Sequence, residues 1–151
     1  MNYLLFSLGF IIIHTALYVL AGLIDLQFTH NLYAGENRFF DFLRDMDDEE
    51  ENQYVARTHI PAQIVRGLLM SVVLYPILDP LSDISFLLRF AFFVGLMFVY
   101  TDLASATPFT NIEGLVYLKE QYVRKEAFLK IEIEMVIYSF LFGLLSSWIL
   151  F

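Results

Sequence analysis

The sequence predicts an all-α fold: an integral membrane bundle of four antiparallel helices, with one or two short amphipathic helices at the membrane surface. The composition supports this, because 58% of the residues are hydrophobic and the mean hydropathy is +0.62. In the run from Ile84 to Tyr100, Arg89 is the only charged residue among 17. At about 1.5 Å per residue, this run with its flanks crosses a hydrocarbon core of about 30 Å.

The composition also excludes several classes of site. There is no cysteine, which excludes disulfides, zinc–thiolate sites, iron–sulfur ligation and thiol nucleophiles. The net charge of −8 argues against a nucleic-acid partner, which needs clustered Lys and Arg. The glycine-rich, nucleophile and zinc-protease motifs of nucleotide, acyl and peptide chemistry are also missing from the sequence. The sequence leaves the cofactor unknown, and no metal site is predicted.

The first predicted span covers residues 3–24, where His14 is the only strongly polar residue. No Lys or Arg precedes this run and no small-residue cleavage site follows it, so we interpret it as a permanent span and not as a signal peptide. One helical face collects its polar and small residues, and this face should contact protein because unpaired polar groups in hydrocarbon are costly. The face consists of Ser7, His14, Tyr18, Ala21 and Asp25.

A polar connection, residues 26–59, holds most of the acidic residues, including the run at 47–51. We expect this run to be a solvated loop, with a site for a cation or a basic partner as the alternative. Within the connection, the sequence NRFFDFLRDM at 37–46 places apolar residues at i, i+3, i+4 and i+7. That spacing predicts a short amphipathic helix at the membrane surface.

The second span is predicted at 60–78, with Pro61 in the first turn, where its missing N–H does no harm. A tight connection then makes the third span, 84–105, its antiparallel neighbour. A second connection at 107–130 has an apolar face that predicts another interfacial helix, and the fourth span covers 131–151. That face consists of Leu115, Leu118, Tyr122 and Leu129.

The distribution of basic residues predicts the orientation. Both long connections with their adjacent helix ends hold eight Lys and Arg, whereas the opposite side holds only Arg89. Because cytoplasmic segments carry the excess of basic residues, both termini should lie on the non-cytoplasmic side of a multi-pass protein. The eight are Arg38, Arg44, Arg57, Arg66, Lys119, Arg124, Lys125 and Lys130.

Four ionisable residues are predicted to meet near the cytoplasmic mouth of the bundle: Asp25, Arg66, Asp102 and Glu132. One interpretation is a polar cavity that binds a cation, a lipid headgroup or a small anion. The other is a salt-bridged collar at the membrane boundary without chemistry of its own.

Two further polar residues lie inside predicted spans. His14 should lie near mid-membrane, and we expect it to be a hydrogen-bonded structural histidine; the alternatives are a haem or metal ligand, or a proton station with Tyr18 and Asp25. Arg89 should reach the outer surface or pair with Asp79 or Asp83.

The entry to the second span reads ENQYVARTHIPAQIVRG. With four spans in about 150 residues and a long first cytoplasmic connection, the chain resembles in architecture the membrane-associated proteins of eicosanoid and glutathione metabolism. The resemblance implies that Arg57, His59 and Arg66 hold a glutathione carboxylate or thiolate. The Asn and Glu positions of that family's segment are not reproduced.

These observations favour a non-enzymatic role: a subunit or accessory component of a membrane complex, in contact with the lipid bilayer and with a protein partner or further copies of itself. The alternatives are a membrane enzyme or lipophile-binding protein that takes a lipid or hydrophobic small molecule at the cytoplasmic mouth, and an ion or proton pathway. Two faces of small residues offer surfaces for close helix packing. They are Ala91 with Gly95, and Ser139 with Gly143 and Ser146.

Overall fold

A computed structural model describes residues 2–41, 43–103 and 125–151 of the chain. The described residues contain helices and turns and no strand, so the predicted all-α fold class is confirmed. The helices are α1 (Tyr3–Tyr33), α2 (Glu49–Val73), a 3₁₀ turn (Tyr75–Ile77), α3 (Leu78–Asp83), α4 (Phe86–Gly95), a π-type segment (Leu96–Leu103) and α5 (Lys125–Ile149).

Helix α1 packs against both α2 and α5. Ser71 Oγ donates a hydrogen bond to Ser7 Oγ at 2.8 Å, and His14 Nε2 lies 3.1 Å from Gln63 Oε1. Because residue numbers rise along α1 as they fall along α2, these two helices are antiparallel.

Helix α5 packs against α1 on one side and against α4 on another. The Phe142 ring lies 5.1 Å from Phe10 on α1 and 6.0 Å from Phe93 on α4, while Phe151 lies 6.0 Å from Phe6. Helix α5 is therefore antiparallel to α1. Met97 in the π-type segment lies beside the Tyr138 hydroxyl, four residues before Phe142, so α4 and α5 are antiparallel as well.

Helix α1 extends nine residues beyond its predicted end. Asn2 caps its start, because the Asn2 side chain accepts hydrogen bonds from the backbone N–H groups of Leu4 and Leu5. It ends only before Ala34 and Gly35, and Gly35 has a φ of +90°, a conformation that favours glycine. The apolar run stops at Ile24, but polar residues continue the helix because nothing breaks it.

The predicted amphipathic helix at 37–46 is not formed; the described residues there make turns and bends. The Arg38 guanidinium donates hydrogen bonds to the carbonyl oxygens of Gly35, Asp41 and Leu43. Phe39 and Phe40 are buried nearby. The apolar spacing therefore reflects packing of a folded turn on the ends of α1 and α5, where Leu32 and Ile131 complete the cluster.

Asp45 organises this connection. Its carboxylate accepts hydrogen bonds from the backbone N–H of Asp47 at 3.0 Å, the backbone N–H of Gly35 at 3.1 Å and Arg38 Nη1 at 2.9 Å. These interactions stabilise the charged form, first of all the N–H of Asp47, and hold the pKa of Asp45 below its usual range.

Helix α2 begins at Glu49, eleven residues before the predicted start, and contains Pro61 in its interior. The Asp48 carboxylate accepts the backbone N–H of Glu51 at 2.9 Å and so caps the helix. The acidic run, expected to be a loop, therefore forms the cap and first turn of α2, where negative charge is stabilised by the helix dipole.

Between α2 and α4, the expected tight connection is a 3₁₀ turn followed by α3, and this segment is bent by 43° from α2. Ser85 caps α4, which passes into the π-type segment. The predicted third span thus divides into two helix types. The second interfacial helix was predicted within residues 107–130. Residues 107–124 lie outside the described part of the structure, and residues 125–130 form the start of α5.

The structure buries polar groups beside an apolar core and leaves many large apolar side chains exposed. Ser7, His14, Ser71 and Ser139 are buried, while large apolar side chains are exposed along α1, α2, α4 and α5. Among the described helices, Tyr3–Tyr33 is long and apolar enough to cross a membrane, and Glu49–Val73 with its bent continuation Tyr75–Asp83 passes as a second span if counted as one.

The contact between α4 and α5 depends on the absence of a side chain at Gly143. A Cβ placed there would lie 2.6 Å from Val94 Cγ2 and 2.9 Å from the Phe90 carbonyl oxygen. We expect Gly143→Ala to force the two helices apart and lower the free energy of unfolding by roughly 1–3 kcal/mol. Thermal and denaturant unfolding in mild detergent measures this change.

Gly22→Ala is the matched control, because a Cβ at Gly22 meets no atom within 4 Å. Its stability should be unchanged or raised by up to about 1 kcal/mol, the helix propensity gained over glycine. If the two variants unfold alike, the close contact at Gly143 does not contribute as described.

Candidate functional site

The candidate site is built around His14, whose side chain is 1% exposed in the middle of the three helices that surround it. His14 Nδ1 lies 2.5 Å from the Tyr138 hydroxyl on α5, and Nε2 lies 3.1 Å from Gln63 Oε1 on α2. With the Gln63 carbonyl facing Nε2, the imidazole donates from Nε2 and accepts the Tyr138 hydroxyl proton at Nδ1. The expectation that His14 has hydrogen-bond partners is confirmed.

The approach of α2 to this site is close because residue 67 is glycine. A Cβ at Gly67 would lie 3.2 Å from His14 Cδ2 and 3.3 Å from Ile11 Cα. Gln63 lies one turn earlier on the same face, so the close packing at Gly67 brings its amide to the imidazole. Tyr138 Oη also lies 3.7 Å from the Met97 sulfur, which links the π-type segment to the site.

A second layer of rings and charge adjoins the imidazole. The Tyr18 ring lies 6.0 Å from His14 and 5.4 Å from His59, and the Arg66 guanidinium lies 5.9 Å from the Tyr18 ring centre. This distance is within the range of a cation–π contact. One continuous cluster, His14, Gln63, Tyr138, Tyr18, His59 and Arg66, thus joins α1, α2 and α5; we call it the polar core.

A separate hydroxyl network lies nearer the chain termini. Ser71 Oγ donates to Ser7 Oγ at 2.8 Å, and the Ser7 and Tyr75 hydroxyls lie 2.7 Å apart. Tyr75 also stacks on Tyr3 with ring centres 4.6 Å apart. This network fixes the N-terminal end of α1 against α2.

Asp25 and Arg66 were predicted to meet at the cytoplasmic mouth, but their backbones lie at different levels along the helix axes. Arg66 precedes Gly67, which packs on Ile11, so its backbone lies about 14 residues, or roughly 21 Å, from the level of Asp25. The Arg66 guanidinium reaches part of the way back, to Tyr18. The Asp25 carboxylate accepts a hydrogen bond from Thr29 Oγ1 at 2.8 Å.

The two remaining members of that predicted set lie on other elements. Glu132 is a partly buried residue of α5. The backbone of Asp102 belongs to the π-type segment, and its side chain lies outside the described part of the structure. Asp25 lines a cavity of about 70 Å³ between α1 and α5 together with Glu134.

Arg89 is buried to 8% exposure on α4. Its Nη2 donates to the Ile84 carbonyl oxygen at 3.1 Å, and its guanidinium lies 4.6 Å from the Phe151 ring centre. The Arg89 side chain thus extends back toward the start of its own helix and against the end of α5.

An open apolar groove runs along α2 beside the polar core, and we call it the α2 groove. One part, about 550 Å³, is lined by α2 side chains that include Val65, Arg66 and Leu69. A second part, about 250 Å³, continues from Leu69 to Val73 and has Leu96 of the π-type segment as a further wall. Among the described residues, Arg66 is the only charged one that lines either part.

The polar core has little capacity for metal or haem ligation at His14, because Tyr138 and Gln63 engage both ring nitrogens. Within residues 2–41, 43–103 and 125–151, no three His, Asp or Glu side chains come together as metal ligands would. What the arrangement offers is a guanidinium held at the Tyr18 ring, on a helix that has another, exposed apolar face.

Sequence reasoning did not single out Gln63, Tyr138 or Met97. A signal for Gln63 was present, since an imidazole at mid-membrane requires partners at its own depth. The predicted helix start at residue 60 placed Gln63 at the membrane boundary and concealed this pairing. Whether Tyr138 and Met97 face His14 depends on how α5 and the π-type segment are rotated about their axes, and apolar sequence patterns do not specify this rotation.

No protein-family model, curated protein or solved structure matches this chain. A functional hypothesis therefore depends on the geometry of the polar core, the α2 groove and the helix surfaces.

Tyr138→Phe tests the hydrogen bond to His14. The variant leaves Nδ1 as a buried acceptor without its donor, and we expect the free energy of unfolding in detergent to fall by roughly 1–3 kcal/mol. Tyr100→Phe is the control, because Tyr100 is 73% exposed. Equal stability of the two variants would show that the Tyr138 hydroxyl does not stabilise the helices through His14.

Proposed function

We propose that this chain is a multi-pass membrane protein that crosses the bilayer four times, with both termini on the non-cytoplasmic side, and acts as a subunit or accessory component of a membrane complex. The placement is supported by the many large apolar side chains that remain exposed along the helices, with hydroxyl and imidazole groups buried beside the apolar core. Residues 3–24 of α1 and 135–149 of α5 carry no charge.

The observation that carries the assembly proposal is the open small-residue face of α4. Ala91 and Gly95 are spaced four apart, the pattern by which membrane helices approach closely. Ala91 is exposed, and a Cβ at Gly95 would meet no atom within 4 Å among the described residues. Among the described residues nothing covers the Gly95 position, so this face can receive a helix of a partner or of another copy.

The other predicted small-residue face serves the chain itself. Ser139, Gly143 and Ser146 are buried, and Gly143 packs directly on Phe90 and Val94 of α4. It therefore offers no surface to a partner. It does show that this chain uses small residues for close helix packing, which supports the same role for Ala91 and Gly95.

The proposed topology can be tested with single cysteines, because the chain has none of its own. Glu36 and Asp83 are exposed at opposite ends of the helices. In intact cells, a membrane-impermeant maleimide should label the Asp83→Cys variant, and it should label Glu36→Cys only after permeabilisation. Labelling of both variants from the same side would contradict the four-span topology.

The assembly proposal predicts that Gly95→Ile weakens association. The branched side chain keeps a partner helix at a distance, and we expect the dissociation constant to rise by about tenfold or more, equivalent to about 1.4 kcal/mol. Native mass spectrometry of protein extracted in mild detergent measures the fraction in oligomers or complexes.

Gly22→Ile on α1 is the matched control, since Gly22 also has open space around it. It should assemble as the unmodified chain does, and both variants should keep their unfolding temperature. A monomer free of partners before any substitution would refute the assembly proposal directly.

A second candidate function is binding of a lipophilic molecule, and the open α2 groove beside Arg66 favours it. Among the residues implied by the family resemblance, His59 and Arg66 both contact Tyr18, whereas Arg57 is exposed on α2. The arrangement thus supports one cation at the groove and not a three-residue glutathione site.

A further inference from the structure

We propose that Arg89 of α4 and Ser146 and Ser147 of α5 bind a small monovalent anion, a halide such as chloride. We call these three residues the donor cluster. It is separate from the polar core and does not depend on assembly with a partner. The observation that carries the proposal is a set of buried hydrogen-bond donors, one of them a permanent cation, that have no acceptor among the described residues.

The packing of α4 on α5 places the donor cluster at one level. Phe93 contacts Phe142, with ring centres 6.0 Å apart. Because the two helices are antiparallel, one turn toward the start of α4 leads to Arg89, and one turn toward the end of α5 leads to Ser146. All four residues are at least nine-tenths buried. Arg89 and Ser146 therefore face each other across the helix contact, and Ser147 follows Ser146.

Arg89 is a buried cation without a counter-ion. No carboxylate of the described residues lies within 4 Å of its guanidinium, so the expected pairing with Asp79 or Asp83 is not formed. The side chain is 8% exposed; Nη2 donates to the Ile84 carbonyl oxygen at 3.1 Å, and Nε is buried without a partner. Burying a charge is costly unless the charge is paired, so an anion stabilises this arrangement.

The position of the guanidinium increases this requirement. Ser85 caps α4, and the hydrogen bond to Ile84 holds the Arg89 guanidinium at the start of the same helix. The start of a helix carries a partial positive charge, and its first backbone N–H groups have no acceptor inside the helix. A guanidinium and a helix start repel each other, and an anion beside them is attracted by both.

Ser146 and Ser147 supply hydroxyl groups from α5. They are 0% and 3% exposed, and neither Oγ has a hydrogen-bond partner among the described residues. Serines inside helices often bond to a carbonyl oxygen one turn earlier, whereas these two do not. A buried hydroxyl without a partner is destabilising, and donation to an anion removes that cost.

Charge and space favour a halide over other occupants. One guanidinium balances a charge of −1, whereas a phosphate monoester carries about −1.5 to −2. The donor atoms are enclosed, which disfavours a lipid headgroup; a halide is close to a water molecule in size, and serine side chains can turn between rotamers to admit it. Water would satisfy the hydroxyls but leave the charge of Arg89 unbalanced.

Thermal unfolding of the full chain in phosphatidylcholine nanodiscs tests the site. Sodium chloride is exchanged for sodium gluconate at constant ionic strength, because gluconate is too large for an enclosed site. We expect chloride to raise the unfolding midpoint by roughly 2–4 °C along a saturating curve, since a ligand of the folded state stabilises that state. Equal midpoints in the two salts would overturn the proposal.

Two variants locate the site. Arg89→Gln should abolish the response to chloride, while Arg57→Gln, which removes an exposed arginine of α2, should keep it. Ser146→Ala should weaken chloride binding roughly tenfold, because hydrogen bonds to charged groups are the stronger ones.

The same serine variant separates a ligand contact from a structural role. In gluconate, Ser146→Ala should be at least as stable as the unmodified chain, because it removes an unpaired hydroxyl. A loss of stability that is equal in both salts would contradict the site. If Arg89→Gln does not fold, the chloride titration of Ser146→Ala still decides the question.

A lipid phosphate is the other source of negative charge at this end of the helices. If it occupied the site, chloride would raise the midpoint in lipid-free maltoside and have no effect in phosphatidylcholine nanodiscs. That result would contradict the choice of a halide. Because the readout is a response to chloride and not an oligomeric mass, failure of this proposal is distinguishable from failure of the assembly proposal.

Discussion

The two hydrogen bonds of His14 are the constraint on which the arrangement of the helices depends. A buried imidazole must satisfy both nitrogens, since an unpaired polar group in an apolar interior costs roughly 1–3 kcal/mol. Gln63 supplies one partner from α2, and Tyr138 supplies the other from α5. Sliding either helix by one turn along α1 would remove one of them, so a single side chain sets two helix registers at once.

The close contacts of the structure follow from these registers. Gly67 faces Ile11 and His14, where a larger residue would separate α1 from α2. Arg66 immediately precedes Gly67, so its backbone lies near the level of Ile11 and far from Asp25. Because α2 packs mainly on α1 and α4 mainly on α5, a gap remains between α2 and the π-type segment. The smaller part of the α2 groove, where Leu96 faces residues 69–74, lies in that gap, whereas the larger part, which Arg66 lines, is formed by α2 alone.

The sequence was sufficient for the all-α class, because long apolar runs have few other outcomes. It was insufficient for the helix ends, since hydropathy reports the surroundings of a helix, whereas caps decide where it begins. Asp48 and Glu51 carried a capping signature that the acidic composition concealed. For the site, the sequence predicted that the His14 imidazole needs hydrogen-bond partners. The identity of Gln63 and the depth of Arg66 were not predicted, because both depend on α2 starting at Glu49 with Pro61 inside it.

The edge position of α4 brings the two proposed surfaces next to each other. No described residue lies within 4 Å of a Cβ placed at Gly95, while Leu96 lines the α2 groove. Adjacent residues on a helix point about 100° apart. A partner helix seated on Ala91 and Gly95 would therefore lie beside the outer wall of the groove. If the partner touches the occupant of the groove, each must change the affinity of the other by the same factor, because coupling between two binding sites is reciprocal. A lipophilic molecule in the groove would then act as part of the interface, and its removal would weaken assembly without any change in the protein itself.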